Sequence, residues 1–137
     1  MADSLKTSMA IAGAGMHAQG TRLRIISENV ANADSTAQTP GGDPYRRKTI
    51  SFRNQLDRQL GAELVKVRDI GQDPSDFKLK HEPFHPAADA QGYVKYPNIT
   101  KLVEVMDMRE AQRSYEANLN VLEVTKAMVS RTLDVMR

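Results

Sequence analysis

Cysteine and tryptophan are both absent from the 137-residue chain. The first absence excludes disulfide frameworks, Cys-ligated zinc and thiol chemistry. It leaves the compartment open, since disulfide-free proteins occur in cytosol and periplasm alike. Aromatic residues are scarce, three Phe and four Tyr making up 5% of the chain. Compact cores usually rest on such side chains, so a core here must be assembled from Leu, Ile, Val, Met and Ala. Long apolar runs are missing as well: nothing approaches the roughly 18 consecutive residues of a membrane span, and an integral membrane protein is not expected. An excess of one charge is also lacking. The formal net charge is +2, spread so evenly that no segment carries the basic surplus of a non-specific nucleic-acid binder. The opening Met1-Ala2-Asp3-Ser4 has neither a basic n-region nor an apolar h-region, so no cleaved secretory signal is expected.

What is present is sharply partitioned. All six prolines (40, 44, 74, 83, 86 and 97) fall in the middle of the chain, and residues 98–137 contain neither proline nor glycine. Such punctuation predicts a helix over 3–33, a β- and loop-rich middle over 34–97, and a helix over 98–137. A 4-3 spacing runs through Leu5, Met9, Ala12, Met16, Gln19, Leu23, Ile26, Val30 and Ala33, with Gln19 the one polar occupant, which is a coiled-coil type of seam. Asp3 or Ser4 can cap its start. Ala10, Ala12, Gly13, Ala14, Gly15, Ala18 and Gly20 crowd one stretch. Each glycine costs a helix about 1 kcal/mol, which calls for either very close approach of a neighbouring helix or an easily unfolded N-terminus.

In the C-terminal segment Asn98 is the expected N-cap. One stripe holds Tyr115, Leu119, Leu122, Lys126, Val129, Leu133 and Met136; a second holds Ala117, Val121, Val124, Met128 and Val135. At 100° per residue their centres lie about 130° apart, too far for one antiparallel partner to cover both. In the middle, short alternating runs at 46–52, 63–67, 77–81 and 93–96 predict β-strands. The fold expected is mainly α with a small β-rich middle, its two long helices paired as an antiparallel coiled coil.

Three motifs suggest chemistry and fail on context. His81-Glu82-Pro83-Phe84-His85 matches H-E-x-x-H, but zinc needs both His on one helix face, and Pro83 and Pro86 prevent a regular helix there. Gly13 to Ala18 matches G-x-G-x-x-A with Asp34 downstream, yet the heptad runs unbroken through the glycines and no second strand carries the acid. Arg46-Arg47-Lys48 reads as a solvated strand edge. With no nucleophile–base–orienter set, neither an enzyme nor a metal or cofactor is expected.

Four motifs in order carry a resemblance. The run from Ser27 to Ser35, with Asn29, Ala31 and Asn32, is followed by Tyr45-Arg46; then come Tyr93, Pro97 and Asn98, and finally Tyr115 and Asn118. These resemble the terminal motifs of bacterial flagellar rod and hook proteins, and the chain's length and its insertion over 36–44 resemble the short proximal-rod members. The resemblance implies a structural subunit that polymerises helically with itself and other rod proteins. It further implies contact with basal-body ring and export-gate components, residence in the periplasm-spanning rod, and export unfolded through the type III channel. On that reading Leu5, Met9, Leu23, Ile26, Val30, Tyr115, Leu119, Leu122, Val129 and Leu133 form the intramolecular seam, while Val121, Val124, Met128 and Val135 face other subunits. No nucleic acid or small-molecule substrate is implied. The alternative is a helical adaptor or export-associated binding module using the same seams for one partner.

Overall fold

The structure, a computed structural model, describes residues 2–137. Two long helices, α1 (Ala2–Ala31) and α2 (Lys101–Val135), bracket strands β1 (Lys48–Asp57), β2 (Ala62–Gln72), β3 (Lys78–His81) and β4 (Tyr93–Tyr96). The helices pack together with a small antiparallel β region between them in sequence. No described helix is long and apolar enough to cross a membrane. The chain forms two compact units: one takes the chain up to Leu23 with Ile50–Asp69 and Arg109–Arg137, the other takes Arg24–Thr49 and Ile70–Met108.

In the first unit small residues bring α1 and α2 close. Ala12, Ala18 and Ala111 are no more than 2% exposed. A Cβ on Gly15 would lie 2.7 Å from Asn118 Nδ2, and one on Gly20 would lie 3.9 Å from the Tyr115 ring. Close helix approach therefore explains Gly15. Gly13 is different, since nothing stands within 4 Å of its would-be Cβ. The remainder of this unit is the outer part of the β1–β2 pair. Residues 58–61 turn the chain, with Gly61 at φ 65° and Asp57 Oδ1 accepting from the amides of Gln59 and Leu60. Leu64 is buried, whereas Leu56 is more than half exposed.

In the second unit Ile25, Ile26, Ala33, Ala87, Val94 and Ile99 form a compact core. Strand β3 pairs antiparallel with β4, Lys78 opposite Tyr96 and His81 opposite Tyr93. Strands β1 and β2 extend beyond the expected runs because polar, outward residues such as Arg53, Asn54 and Arg68 show no alternation for a pattern to detect, while hairpin pairing still holds them.

Two caps differ from expectation. Asp3 and Ser4 lie inside the first turn of α1, where Thr7 Oγ1 donates to Asp3 O at 2.8 Å. Helix α2 begins at Lys101, with the Glu104 amide donating to Thr100 O at 3.1 Å. Asn98 is spent on a neighbouring segment instead, so Thr100 holds the cap position. At the other end of α1, Asn32 Nδ2 donates to Glu28 O at 2.8 Å, and Ser35 Oγ donates to Asn32 Oδ1 at 3.2 Å. Glu28 O also accepts the Asn32 amide at 3.1 Å, so the backbone and side chain of Asn32 together close the last turn.

Candidate assembly surface and polar network

The second unit holds a dense polar network around Asn29, itself 1% exposed. Its Oδ1 accepts from Tyr45 OH at 2.9 Å and from the Lys48 amide at 3.0 Å. Its Nδ2 donates to Lys48 O at 2.9 Å and to Glu104 Oε2 at 3.5 Å. A primary amide offers two donors and two acceptor sites, and all four are engaged. By bonding both the N–H and the C=O of Lys48, the Asn29 side chain acts as a strand neighbour would.

Glu104 is also 1% exposed. Its Oε1 receives Arg47 Nε in a close ion pair, while Arg47 reaches Asp73 at 3.4 Å and Asp107 at 3.9 Å. Burial works against the Arg47 charge, but the hydrogen bond and charge of Glu104, aided by Asp73 and Asp107, outweigh it and hold the guanidinium above its ordinary range. Burial likewise pushes the Tyr45 phenol up. Asn98 Oδ1 accepts from the Arg47 amide at 2.9 Å, and its Nδ2 donates to Asp73 O and Ser75 O. Arg46 donates to the same two carbonyls at 2.8 Å and lies 4.2 Å above the Phe77 ring. At the edge, Lys48 Nζ meets Glu28 Oε2 at 2.9 Å. That hydrogen bond lowers the Glu28 carboxyl and raises the Lys48 ammonium.

The motif residues Asn29, Tyr45, Arg46 and Asn98 thus converge, and Pro97 is buried in the same unit. Asn32 caps α1, and Ala31 is exposed beside it. Tyr93 packs edge-on against His81 at 5.0 Å. His85 Nδ1 accepts from the Ala87 amide, and Glu82 takes the Tyr96 hydroxyl, so the three H-E-x-x-H side chains serve three separate local contacts. Tyr115 and Asn118 lie in the first unit, against Gly20 and Gly15.

The expected seam is mixed in burial. Ile26 is buried, while Leu5, Met9, Leu23, Val30, Tyr115, Leu119, Leu122 and Val129 are half-buried. Leu133 is exposed, yet it lines with Leu5, Met9, Val129 and Met136 an apolar groove of about 280 Å³. Val121, Val124, Met128 and Val135 are all exposed. Three of them, Val121, Val124 and Met128, line a second groove of about 420 Å³ with Leu5 and Ser8. Sequence reasoning missed Arg47, Glu104 and Thr125 as inward groups. The available signal was Glu104 itself, a single acid set among Leu102, Val103, Val105 and Met106, but an acid in a first helical turn ordinarily reads as a solvated partner of the helix dipole.

Val121, Val124, Met128 and Val135 thus give α2 an exposed apolar face. Residues 90–135 match the family described as flagellar basal body rod FlgEFG protein C-terminal. The chain is 52% identical over 135 residues to the flagellar basal-body rod protein FlgC of Agrobacterium fabrum, covering 98% of this chain and 97% of that one. The chain belongs to the FlgC family of flagellar basal-body rod proteins. It is 43% identical to the Escherichia coli O6:H1 member over 90% of its length and 91% of the relative's. The Bacillus subtilis member is 36% identical over 93% of this chain and 95% of its own. The protein is a structural flagellar rod subunit and not an enzyme, and the adaptor alternative is not favoured.

Proposed function

We propose that this chain polymerises helically, with copies of itself and with other rod proteins, into the proximal part of the flagellar drive-shaft and its central channel. The observation that carries the reading is the apolar face of α2. Val121, Val124, Met128 and Val135 stay in water in the single chain, and burying a side chain of this size is worth about 1.5–3 kcal/mol. Within the first unit, Leu5 shares a groove with Leu133, Gly15 meets Asn118, Gly20 meets Tyr115, and Arg22 reaches Glu110 at 3.5 Å. Partners step down α2 as positions step up α1, which supports an antiparallel coiled coil with the intramolecular seam given above. Residues 3–33 and 98–137 would build that helical layer, and 34–97 would face outward. Passage through the export channel without a cleaved signal, placement in the periplasm-spanning rod, and contacts with ring and export-gate components complete the proposal.

The test separates the two stripes. Leu122→Asp places a carboxylate in the seam, at a desolvation cost of several kcal/mol, and should abolish pairing of the subunit's own helices. Val124→Asp should leave that pairing intact, so that the protein is secreted but missing from purified basal bodies and the cells do not swim. Glu123→Gln is the neutral control, since exposed ion pairs contribute about 0–1 kcal/mol. Normal swimming with Val124→Asp would remove the exposed stripe as an assembly surface.

A further inference from the structure

Within the second unit, the buried residues Ala33, Pro97 and Ile99 form the floor of a pocket of about 330 Å³, with Tyr96 beside them. Three ammonium groups and one carboxylate line the same pocket: Lys78, Lys80, Lys101 and Asp34. A separate contact places each lysine. Lys78 Nζ donates to Ile99 O at 2.6 Å, Lys80 Nζ lies 4.6 Å from the centre of the Tyr96 ring, and Lys101 Nζ meets Asp34 Oδ2 at 2.5 Å. A carbonyl and a ring attract an ammonium group but neutralise no charge. Asp34 is therefore the single anion among the lining side chains, and two positive charges stay in excess. All three lysines act on one place: the Lys101 hydrogen bond and the charges of Lys101, Lys80 and Lys78 outweigh desolvation and hold the Asp34 carboxyl below its ordinary range. Lys78 and Lys80 stand two residues apart on one face of β3, and like charges gathered in this way disfavour the compact chain. An anion in the pocket would relieve that repulsion.

We propose that this pocket is a socket for a carboxylate side chain, an aspartate or glutamate presented by a neighbouring rod subunit. Charge complementarity selects an anion, and the apolar floor selects one carried on methylene groups over a free inorganic ion. An apolar cavity of about 150 Å³ admits benzene, so this pocket has room for a glutamate side chain, its stem on Pro97 and Ile99 and its oxygens on the lysines. The Asp34 and Lys101 side chains are 71% and 58% exposed. Ion pairs so exposed contribute little, and an incoming carboxylate can take the place of Asp34 on Lys101. The chemistry of the socket is a property of the isolated chain; only its source in a rod subunit rests on the assembly reading.

Amide NMR on the full-length chain at low salt, where exposed charges are least screened, tests the chemistry. The probes are the blocked peptide acetyl-Glu-Glu-Glu-amide, its glutamine counterpart and inorganic phosphate. The glutamate peptide should shift the Ala33, Ile99 and Lys101 amides saturably, and the other two probes should bind more weakly. Lys80→Met should weaken the glutamate peptide about two- to fivefold, the range of one exposed ion pair. Asp34→Asn should tighten it, because the competing carboxylate is gone. Asp43→Asn changes the net charge equally at the Lys95 pair, outside the pocket, and should leave the affinity as it is. Asp34 and Lys80 are both exposed, and circular dichroism confirms that their variants fold. In cells, Lys80→Glu should leave secretion intact and deplete the chain from purified basal bodies. Equal binding of the two peptides, phosphate binding tighter than the glutamate peptide, or an Asp34→Asn chain that binds no better than Asp43→Asn would overturn the socket. Normal incorporation and swimming with Lys80→Glu would overturn its source in a rod subunit. Absence of the native chain from basal bodies would refute the assembly reading and the source with it, with the peptide result still standing.

Discussion

Replacing Gly15 with alanine sets a gain in helix propensity against a clash, and the distances decide the sign. In a helix interior, alanine is favoured over glycine by about 0.8–1.0 kcal/mol. At Gly15 the new Cβ would lie 2.7 Å from Asn118 Nδ2 and 3.0 Å from both Cγ and Oδ1 of that residue. The Asn118 amide cannot swing away freely, because its Nδ2 is bonded to Ser114 O at 3.0 Å. Giving up that bond costs about 0.5–1.5 kcal/mol, and forcing a methyl group into a filled contact costs about 1–3 kcal/mol. The net expectation for Gly15→Ala is destabilisation by about 0.5–3.5 kcal/mol, after the propensity gain is subtracted. Gly13→Ala meets nothing within 4 Å and should stabilise by about 0.8–1.0 kcal/mol. Two neighbouring glycines in one helix therefore move the urea midpoint in opposite directions. The cycle closes with Asn118→Ala, which removes the obstructing amide; Gly15→Ala in that background should become neutral or stabilising, a coupling on the order of 1–3 kcal/mol. Urea unfolding followed by the helical circular dichroism signal measures all four variants. Equal stabilisation by Gly13→Ala and Gly15→Ala would show that α1 and α2 do not approach closely at this point, and the reasoning would fail.

Acid should destabilise the chain in a defined window. Glu28 is held low chiefly by Lys48, Asp34 by Lys101, and Asp73 by the backbone N–H and side chain of Ser75. A carboxyl lowered on folding contributes stability above its ordinary value, near 4.5 for Glu28 and 3.8 for the two aspartates, and loses it as pH falls through the lower folded value. Lys48→Met should therefore make the acid limb of the urea midpoint shallower, and an unchanged limb would contradict the assignment. Gln19 carries a buried Oε1 with no hydrogen-bond partner among the described residues. Because such an orphan acceptor costs about 1–3 kcal/mol, Gln19→Met should raise the urea midpoint; a lowered midpoint would show that this oxygen is satisfied in solution.

The helices were legible because their signal is redundant. Proline and glycine vanish together after Asn98, and a heptad survives even the glycines from Gly13 to Gly20, so the period outvotes local propensity. The strands were half legible: alternation marks residues 46–52 and 63–67, but it stops where both faces of β1 and β2 meet water. At Asn98 and Thr100 the caps were misread, because a side chain that can cap a helix can equally bond a passing backbone, and only the path of Arg47 and Asp73 shows which it does. The face of α2 that carries Val121, Val124 and Met128 could be drawn from spacing alone, and in the single chain those residues are exposed. The inward turn of Glu104 could not be drawn, since pattern reading assigns charge to the outside and no periodicity reveals a partner 57 residues away.

These two kinds of residue record different physical demands. Asn29, Asn32, Arg46 and Asn98 all spend their side chains on main-chain atoms: Lys48 N and O, Glu28 O, Asp73 O and Ser75 O, and Arg47 N. Glu28 O also takes the Asn32 amide, but the other groups belong to a strand start and a bend, and a buried backbone group without a partner costs about as much as a lost hydrogen bond. Such a position admits only a side chain with the right donor and acceptor at the right reach. Replacing Asn29 by an equally large apolar residue would strand both groups of Lys48 at once. The α2 stripe makes a looser demand, because an apolar surface is satisfied by area and volume, and similar-sized hydrophobic exchanges usually cost less than about 1.5 kcal/mol. A family motif made of Asn, Tyr and Arg is therefore what a backbone-closing network produces. The apolar assembly face leaves only a period behind, and so the first was recognised by resemblance and the second by counting.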